Sequence, residues 1–228
     1  MEIKFDDKIK AAAPELQVIS VEAEIDNAPT NDALWSEICD CQQKIQASTP
    51  IEMVRHRPAI DATRLVYKKC GKDPNRYRPS AEALCRRAVK GLDLYRTLTA
   101  IDLINLISME TGHSIGGFDA AKIVGNTLIL GVGIEGEPYE AIGRGELNIA
   151  GLPVYRDKVG GIGTPTSDNE RTKLSPDTTR LLMTINIYGV DNVYSNDDVE
   201  ALTIRLLTQY ASAKNIYIKR WRVGDESN

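Results

Sequence analysis

The chain has 228 residues, 42% of them hydrophobic and 26% charged, with a formal charge of −4 at pH 7. This composition is that of an ordinary globular protein and excludes disordered, collagen-like and membrane-spanning chains. No apolar run reaches membrane-spanning length, and the first ten residues lack the apolar stretch of a secretory signal. We therefore expect a cytoplasmic location.

The first half of the chain is predicted to be mostly helical. Residues 16–25 alternate apolar and polar side chains, which predicts a half-buried strand. Helices are predicted from Thr30 as N-cap, from Pro58 to Gly71, and from Ser80 as N-cap to Gly91. A further helix over 98–112 is apolar almost all round, which predicts that it is central and buried.

After Gly112 the pattern changes to strands joined by glycine-rich and polar loops. Strands are predicted over 127–134, 152–157, 179–188 and 216–223, with one helix capped by Ser195. Helices early and strands late indicate an α+β fold, with helices packed on a mixed or antiparallel sheet, rather than regular βαβ alternation.

Metal and cofactor sites have little support in the sequence. The four cysteines show no metal-ligand spacing, the two histidines are too few for a histidine site, and no HExxH or nucleophile-elbow motif occurs. A GxGxxG match at 131–136 follows a predicted strand, but the prolines and glycines after it leave no room for a pyrophosphate-binding helix. We therefore predict no metal ion and no cofactor.

Positive charge is concentrated in one segment of this acidic chain. Between Arg55 and Arg96 there are twelve lysines and arginines against four acidic residues, and the stretch NRYRPSAEALCRR at 75–87 lies within it. Such a segment is typical of a surface that binds phosphate groups, and equally of a solvated helix face. Charge alone leaves both interpretations open.

Three separated segments carry a family resemblance. They are NRYRPSAEALCRRAVKG at 75–91, YRTLTAIDLINLISMETGHSIGGFD at 95–119 and DNERTKLSPDTTRLLMTINIYG at 168–189. In this order and at these intervals they resemble the B3/B4 domain of the phenylalanyl-tRNA synthetase β subunit, and stand-alone B3/B4 proteins in particular. The resemblance implies that residues 1–228 form a single α+β domain of this kind.

The resemblance also implies an activity. In the synthetase the domain hydrolyses tyrosine wrongly esterified to phenylalanine tRNA. The aspartate and asparagine in the family's buried helix are similar to Asp102 and Asn105, and its later glycine and Phe-Asp pair are similar to Gly112, Phe118 and Asp119.

Three positions depart from the family pattern. The editing histidine falls on Gly116, the neighbouring helix threonine on Ile104, and the glutamate that reads the tyrosine hydroxyl on Thr184. The resemblance therefore implies an editing-type hydrolase whose pocket does not select tyrosine.

Hydrolysis of an aminoacyl ester needs a positioned water, donors for the developing oxyanion and a pocket that discriminates side chains. We predict Asn105 and Glu170 as catalytic residues. We predict that backbone amides, a polar loop and two strand residues bind the substrate, namely Gly116, Gly117, Thr166, Ser167, Asp168, Asn169, Thr184 and Asn186. The alternatives are that Asn105 is a satisfied structural amide and that the polar loop is only an exposed turn.

The basic segment then has a specific interpretation, in which it binds the acceptor end of tRNA through phosphate contacts. The predicted RNA-binding residues are Arg55, Arg57, Arg76, Arg78, Arg86, Arg87 and Lys90. In the alternative interpretation, Arg78 pairs with Glu82 and fixes the loop.

The predicted partner is tRNA, through its aminoacylated 3′ end, and neither a membrane nor DNA is an expected partner. Two other functions remain open. One is a module that binds tRNA or another RNA without chemistry, and the other is a pocket for a free amino acid or a related metabolite.

Overall fold

The computed structural model describes residues 1–189 and 193–225. This part of the chain forms three layers, one of helices and two of β-sheet. The helices in these ranges are α1 Asp7–Ala12, α2 Asp32–Ser48, α3 Pro58–Lys69, α4 Ser80–Val89, α5 Thr99–Thr111 and α6 Asn196–Tyr210. The strands are β1 Glu2–Phe5, β2 Gln17–Glu24, β3 Ile115–Asp119, β4 Thr127–Val132, β5 Glu140–Ala141, β6 Gly145–Glu146, β7 Pro153–Arg156, β8 Gly161–Gly163, β9 Arg180–Ile187 and β10 Lys214–Arg222.

Two four-stranded sheets lie face to face. One is antiparallel throughout, in the order β10-β2-β9-β3. The other has the order β1-β4-β7-β8 and is mixed, because β1 runs parallel to β4 while the remaining pairs are antiparallel. The α+β class predicted from the sequence, with helices on mixed and antiparallel sheets, is confirmed.

The larger core lies between the helices and the antiparallel sheet. Ile19 of β2 and Ile185 of β9 pack in one cluster with Leu103 and Ile107 of α5, together with apolar residues of α2, α4 and α6. Ten of the thirteen residues of α5 are buried, as its apolar periphery predicts. The helix ends at Gly112, whose left-handed φ of 81° favours glycine.

A second core fills the space between the two sheets. Val18 and Leu182 from the antiparallel sheet pack there with Leu130 and Tyr155 from the mixed sheet. As a result β2 is covered on both faces, whereas its alternating sequence predicts a half-buried strand. The difference arises at positions such as Ser20, a polar residue that is buried and whose hydroxyl is satisfied by a hydrogen bond from Trp221 Nε1 at 2.8 Å.

The helix termini depart slightly from the predicted caps. The N-cap of α2 is Asn31, whose side chain accepts a hydrogen bond from the Leu34 amide at 2.9 Å, and Thr30 instead donates to Asp102. Ser80 is the first residue of α4 rather than its cap. No helix of the described ranges is both long and apolar enough to cross a membrane.

Candidate functional site

A pocket of about 240 Å³ opens between α4, α5, β3 and the loop 164–178 that follows β8. Much of its wall is apolar, formed by Leu84, Ile101, Ile104, Ile115, Ile142 and Leu174. The polar groups that line it include Asn105, Gly117, Thr164, Ser167, Asp168 and Lys173. A concave apolar site with a few convergent polar groups is the usual form of a small-molecule site.

Asn105 enters this pocket from α5. It is half-buried, and within the described residues its side chain makes no hydrogen bond. Its neighbours on the helix differ, because the Asp102 carboxylate accepts bonds from Thr30 and Thr97, and the Ser108 hydroxyl donates to the His113 carbonyl at 2.6 Å. Asn105 is therefore an amide available to a ligand, and the alternative of a satisfied structural amide does not fit its environment.

Asp168 provides the only carboxylate among the described residues that line the pocket. Its Oδ2 accepts a hydrogen bond at 3.0 Å from the amide of Gly117, which lies on the edge strand β3. Burial raises the pKa of Asp168 from 3.8 to about 7, although the Gly117 hydrogen bond acts in the opposite direction. A carboxyl group in this state can exchange a proton near neutral pH.

The chain folds tightly around Asp168. The hydroxyl of Thr164 accepts hydrogen bonds from the amides of Thr166 and Ser167 at 3.2 and 3.1 Å, which closes a local turn. Gly163 approaches so closely that a methyl group there would lie 2.8 Å from Asp168 Oδ1. The loop is therefore a fixed support rather than the exposed turn considered above.

The remaining polar residues of the loop have structural contacts. Thr166 shares a hydrogen bond of 2.9 Å with the buried hydroxyl of Tyr67, and Asn169 accepts from the Arg171 amide at 2.9 Å. Glu170 does not line the pocket, and its carboxylate pairs with Lys173. Lys173 itself does line the pocket, so Glu170 is linked to it only through this lysine.

Strand alternation separates the other predicted residues from the pocket. Gly117 faces the helices, where an added methyl group would lie 2.5 Å from Ile104 Cδ1. Gly116 and Thr184 are paired neighbours that face the other sheet, and a methyl group on Gly116 would lie 2.6 Å from Phe118. Asn186, on the same side, donates to the Ser114 carbonyl at 3.0 Å and accepts from Tyr155 at 2.7 Å.

Two arginines of the basic stretch at 75–87 contact a buried carboxylate within the same stretch. Glu82 is only 2% exposed. Arg64 contacts it at 2.7 Å, Arg78 at 3.5 Å and Arg86 at 3.8 Å. Burial of a carboxylate is costly unless cations and hydrogen bonds compensate it. The pairing of Arg78 with Glu82, one alternative from the sequence, is present.

Other arginines of the predicted RNA-binding set are also engaged within the protein. The Arg57 guanidinium donates to the carbonyls of Met109 and Glu110 at 2.8 and 2.7 Å, at the C-terminal end of α5. Arg87 donates to the Asp93 carbonyl at 2.6 Å. The exposed members of the set are Arg55, Arg76, Arg78 and Lys90.

A second pocket of about 230 Å³ adjoins the first. Leu84, Ile101 and Asn105 line both of them. The second pocket is completed by Arg87, which belongs to the predicted RNA-binding set, and by side chains that the sequence did not indicate, Trp35, Leu94, Tyr95 and Thr97 among them. The one signal in the sequence was the aromatic Tyr95 beside Arg96 in a loop. That signal indicates a pocket only when the packing of α2 beside α5 is known.

Comparison with known proteins identifies the family of this chain. Residues 62–202 match the family model described as the B3/4 domain. The chain is similar to the N-terminal fragment of the phenylalanyl-tRNA synthetase β-subunit from Pyrococcus horikoshii, with 12% identity and a TM-score of 0.48. The match covers 96% of this chain and 53% of that one, so this chain spans about half of its length. None of the curated proteins matches. The chain belongs to the B3/4 domain family.

Proposed function

We propose that this protein hydrolyses the ester of a misacylated aminoacyl-tRNA in trans. The observation that carries the proposal is the pairing, in one largely apolar pocket, of a carboxyl group whose pKa is raised to about 7 with an unbonded amide. Asp168 supplies the carboxyl group and Asn105 the amide. Perturbed titratable groups in a concave site are candidates for catalysis.

In the proposed mechanism Asp168 is the general base. Its carboxylate takes a proton from water as the water oxygen attacks the ester carbonyl carbon. The bond from that carbon to the ribose oxygen then breaks, and Asp168 returns the proton to the ribose oxygen. A general base is most effective when its pKa lies near the working pH, which is the state that burial gives Asp168.

Asn105 stabilises the charge that develops in this reaction. Its amide donates a hydrogen bond to the carbonyl oxygen as that oxygen becomes an oxyanion. The Gly117 amide holds Asp168 in place, and Glu170 acts by holding Lys173 at the pocket rim. Glu170, predicted as catalytic from the sequence, thereby becomes a positioning residue in the proposal.

The pocket favours an amino acid with an apolar side chain. Six aliphatic residues line it, and Thr184, which falls at the position of the family's tyrosine-reading glutamate, faces the opposite side of the sheet. A hydroxyl placed against these aliphatic walls would lose its hydrogen bonds to water. We therefore expect discrimination against tyrosine.

Release of labelled amino acid from a panel of correctly and incorrectly charged tRNAs tests the proposal. The parent protein should release one apolar amino acid from a mismatched tRNA. Asn105→Ala should slow release about 100-fold or more, in line with the loss of an oxyanion donor. Glu170→Ala should have a smaller effect, and Asn126→Ala, at an exposed asparagine outside both pockets, should have none. No release from any charged tRNA would refute the proposal.

A second candidate, binding of a free amino acid or related metabolite, is favoured by one observation. Several arginines of the basic segment are engaged in contacts within the protein, which reduces the surface available to phosphates. Salt separates the candidates, because RNA affinity falls steeply with added salt and the affinity for a net-neutral amino acid does not. Binding of a free amino acid with an affinity that salt does not change, in the absence of salt-sensitive tRNA binding, would favour the second candidate.

A further inference from the structure

The second pocket lies beside the point where an ester bond would be cleaved. Asn105 lines both pockets, together with Leu84 and Ile101, so a ligand that contacts Asn105 can extend into each of them. An aminoacyl ester has two parts that diverge from the ester bond, the acyl group and the nucleoside. If the first pocket holds the acyl group and the ester lies at Asn105, the second pocket can hold the nucleoside.

The second pocket carries an exposed aromatic ring. Tyr95, in the segment that joins α4 to α5, is 74% exposed. The Arg87 guanidinium lies 4.7 Å from the centre of its ring, and the Asp93 carbonyl holds that guanidinium in place at 2.6 Å. The arginine orients the ring while most of its surface remains open to solvent.

A second aromatic residue is fixed in a similar way. The ring of Trp35 on α2 lies 5.8 Å from the Arg96 guanidinium, which donates to the Thr30 carbonyl at 2.6 Å and pairs with Asp32 at 2.7 Å. Aromatic rings and arginine planes are the surfaces on which nucleobases stack.

Two polar residues of the second pocket, Thr97 and Asp102, are not available to read base edges, because they bond to each other. Thr97 donates its hydroxyl to Asp102 at 2.8 Å, and its amide donates to the same carboxylate. The pocket therefore offers stacking surfaces with positive charge at Arg87, and exposed Lys90 follows three residues later, at the end of α4. This combination suits a planar base attached to a phosphodiester.

We propose that the second pocket binds the base of the 3′-terminal nucleotide of the acylated RNA, stacked on Tyr95, while the acyl group occupies the first pocket. The ribose lies at Asn105, between them. This inference rests on the proposed function, since it names the part of the same substrate that the second pocket holds. Recognition is by stacking, which accepts any planar base.

Binding of a non-hydrolysable aminoacyl-adenosine, with an amide in place of the ester, tests the inference directly. Tyr95→Ala should weaken its binding about tenfold or more, the range expected for loss of one stacked base, and Tyr95→Phe should restore it. Tyr217→Ala is the matched control, because Tyr217 is a tyrosine that is 57% exposed and lines neither pocket. Equal affinity of parent and Tyr95→Ala would overturn the inference.

The same variants separate failure of the inference from failure of the proposed function. If the parent and Tyr95→Ala release amino acid from charged tRNA with equal kcat/KM, the base site is wrong and the hydrolase stands. If the parent releases nothing, yet binds adenosine 5′-monophosphate more tightly than Tyr95→Ala does, the hydrolase is wrong and the base site stands.

Discussion

Asp168 shows how one residue can serve the site at a cost to the fold. Its carboxyl group lines an apolar pocket and has one hydrogen bond from Gly117 to support its charge. Because its pKa in the folded state is raised to about 7 from 3.8, the folded protein holds a proton that the unfolded chain would release. The contribution of this group to stability is therefore present below pH 3.8 and is lost as pH rises through 7.

Replacement of this carboxyl group by a neutral amide should stabilise the protein above neutral pH. We expect Asp168→Asn to raise the free energy of unfolding at pH 8, and the gain over the parent to shrink as pH falls below 6. Urea unfolding of the parent and the variant at pH 8 and below pH 6 measures the difference in the free energy of unfolding. Asp177→Asn, at an exposed position of the same loop, is the control. A gain that does not depend on pH would contradict the assigned environment of Asp168.

Some residues of the site could be predicted from sequence, and others could not. The family motifs pointed to Asn105, and the polar loop 166–170 contained Asp168. The sequence could not show that Glu170 would pair with Lys173, because that pairing depends on the short 3₁₀ turn between them. It also could not show that Gly116 and Gly117 face opposite sides of the sheet, because β3 itself was not predicted.

At the scale of elements, the glycine pair explains the missed strand. Glycine is a poor strand former, so GGFD has no alternating signal, and β3 forms because it pairs with the strongly predicted β9. The helix α5 was predicted well because its apolar periphery reflects packing on all sides. Pairing partners and layer contacts are long-range properties that local periodicity does not contain.

The junction of α3 and α4 depends on the buried pair of Arg64 and Glu82. Glu82→Gln should lower the free energy of unfolding by about 3 kcal/mol or more, because it leaves the buried Arg64 without its counter-charge. Chemical denaturation measures the loss. Asp32→Asn, which removes the exposed partner of Arg96, should change stability little. A similar small effect of both variants would contradict the structural role of Glu82.

The junction of α5 and β3 contains a buried histidine that should make folding sensitive to acid. Burial lowers the pKa of His113 from 6.5 to about 4. The unfolded chain binds the proton more readily, so this histidine makes the protein less stable as pH falls from 6.5 towards 4. Between pH 7 and pH 5 the parent should lose about 2 kcal/mol relative to His113→Gln.

Unfolding experiments at both pH values, with His56→Gln as the exposed control, measure this dependence. The comparison uses the change with pH, so an overall loss of stability in the variant does not obscure it. An unchanged pH dependence in His113→Gln would contradict the buried neutral state.

At the scale of the whole molecule, the side chains of the basic segment fall into two groups. Arg57 and Arg64 hold helices together, and Arg86 ties α4 to the carbonyl of Ile51. Others, including Arg76 and Lys90, are exposed on the protein surface. A count of charges in the sequence therefore overestimates the surface available to RNA, and the distinction appears only when the partners of each side chain are known.

Removal of two exposed cations should weaken tRNA binding without affecting the fold. The double variant Arg76→Ala, Lys90→Ala should reduce the slope of log affinity against log salt by about 1.5, because each lost phosphate contact contributes roughly 0.7 to 0.9. Lys8→Ala, Lys214→Ala removes the same charge from exposed sites elsewhere and should leave the slope unchanged. Equal slopes for the two variants would contradict an RNA-binding role for the basic segment.

The most direct test of the account is the rate of amino-acid release from a mischarged tRNA between pH 5.5 and 8.5, for the parent and Asp168→Asn. If Asp168 is the general base, the parent rate rises with pH and levels off above an apparent pKa near 7. Asp168→Asn should then be slower and lack this inflection. Release by both proteins at equal rates, with the same pH profile, would contradict the central claim that this pocket hydrolyses the ester.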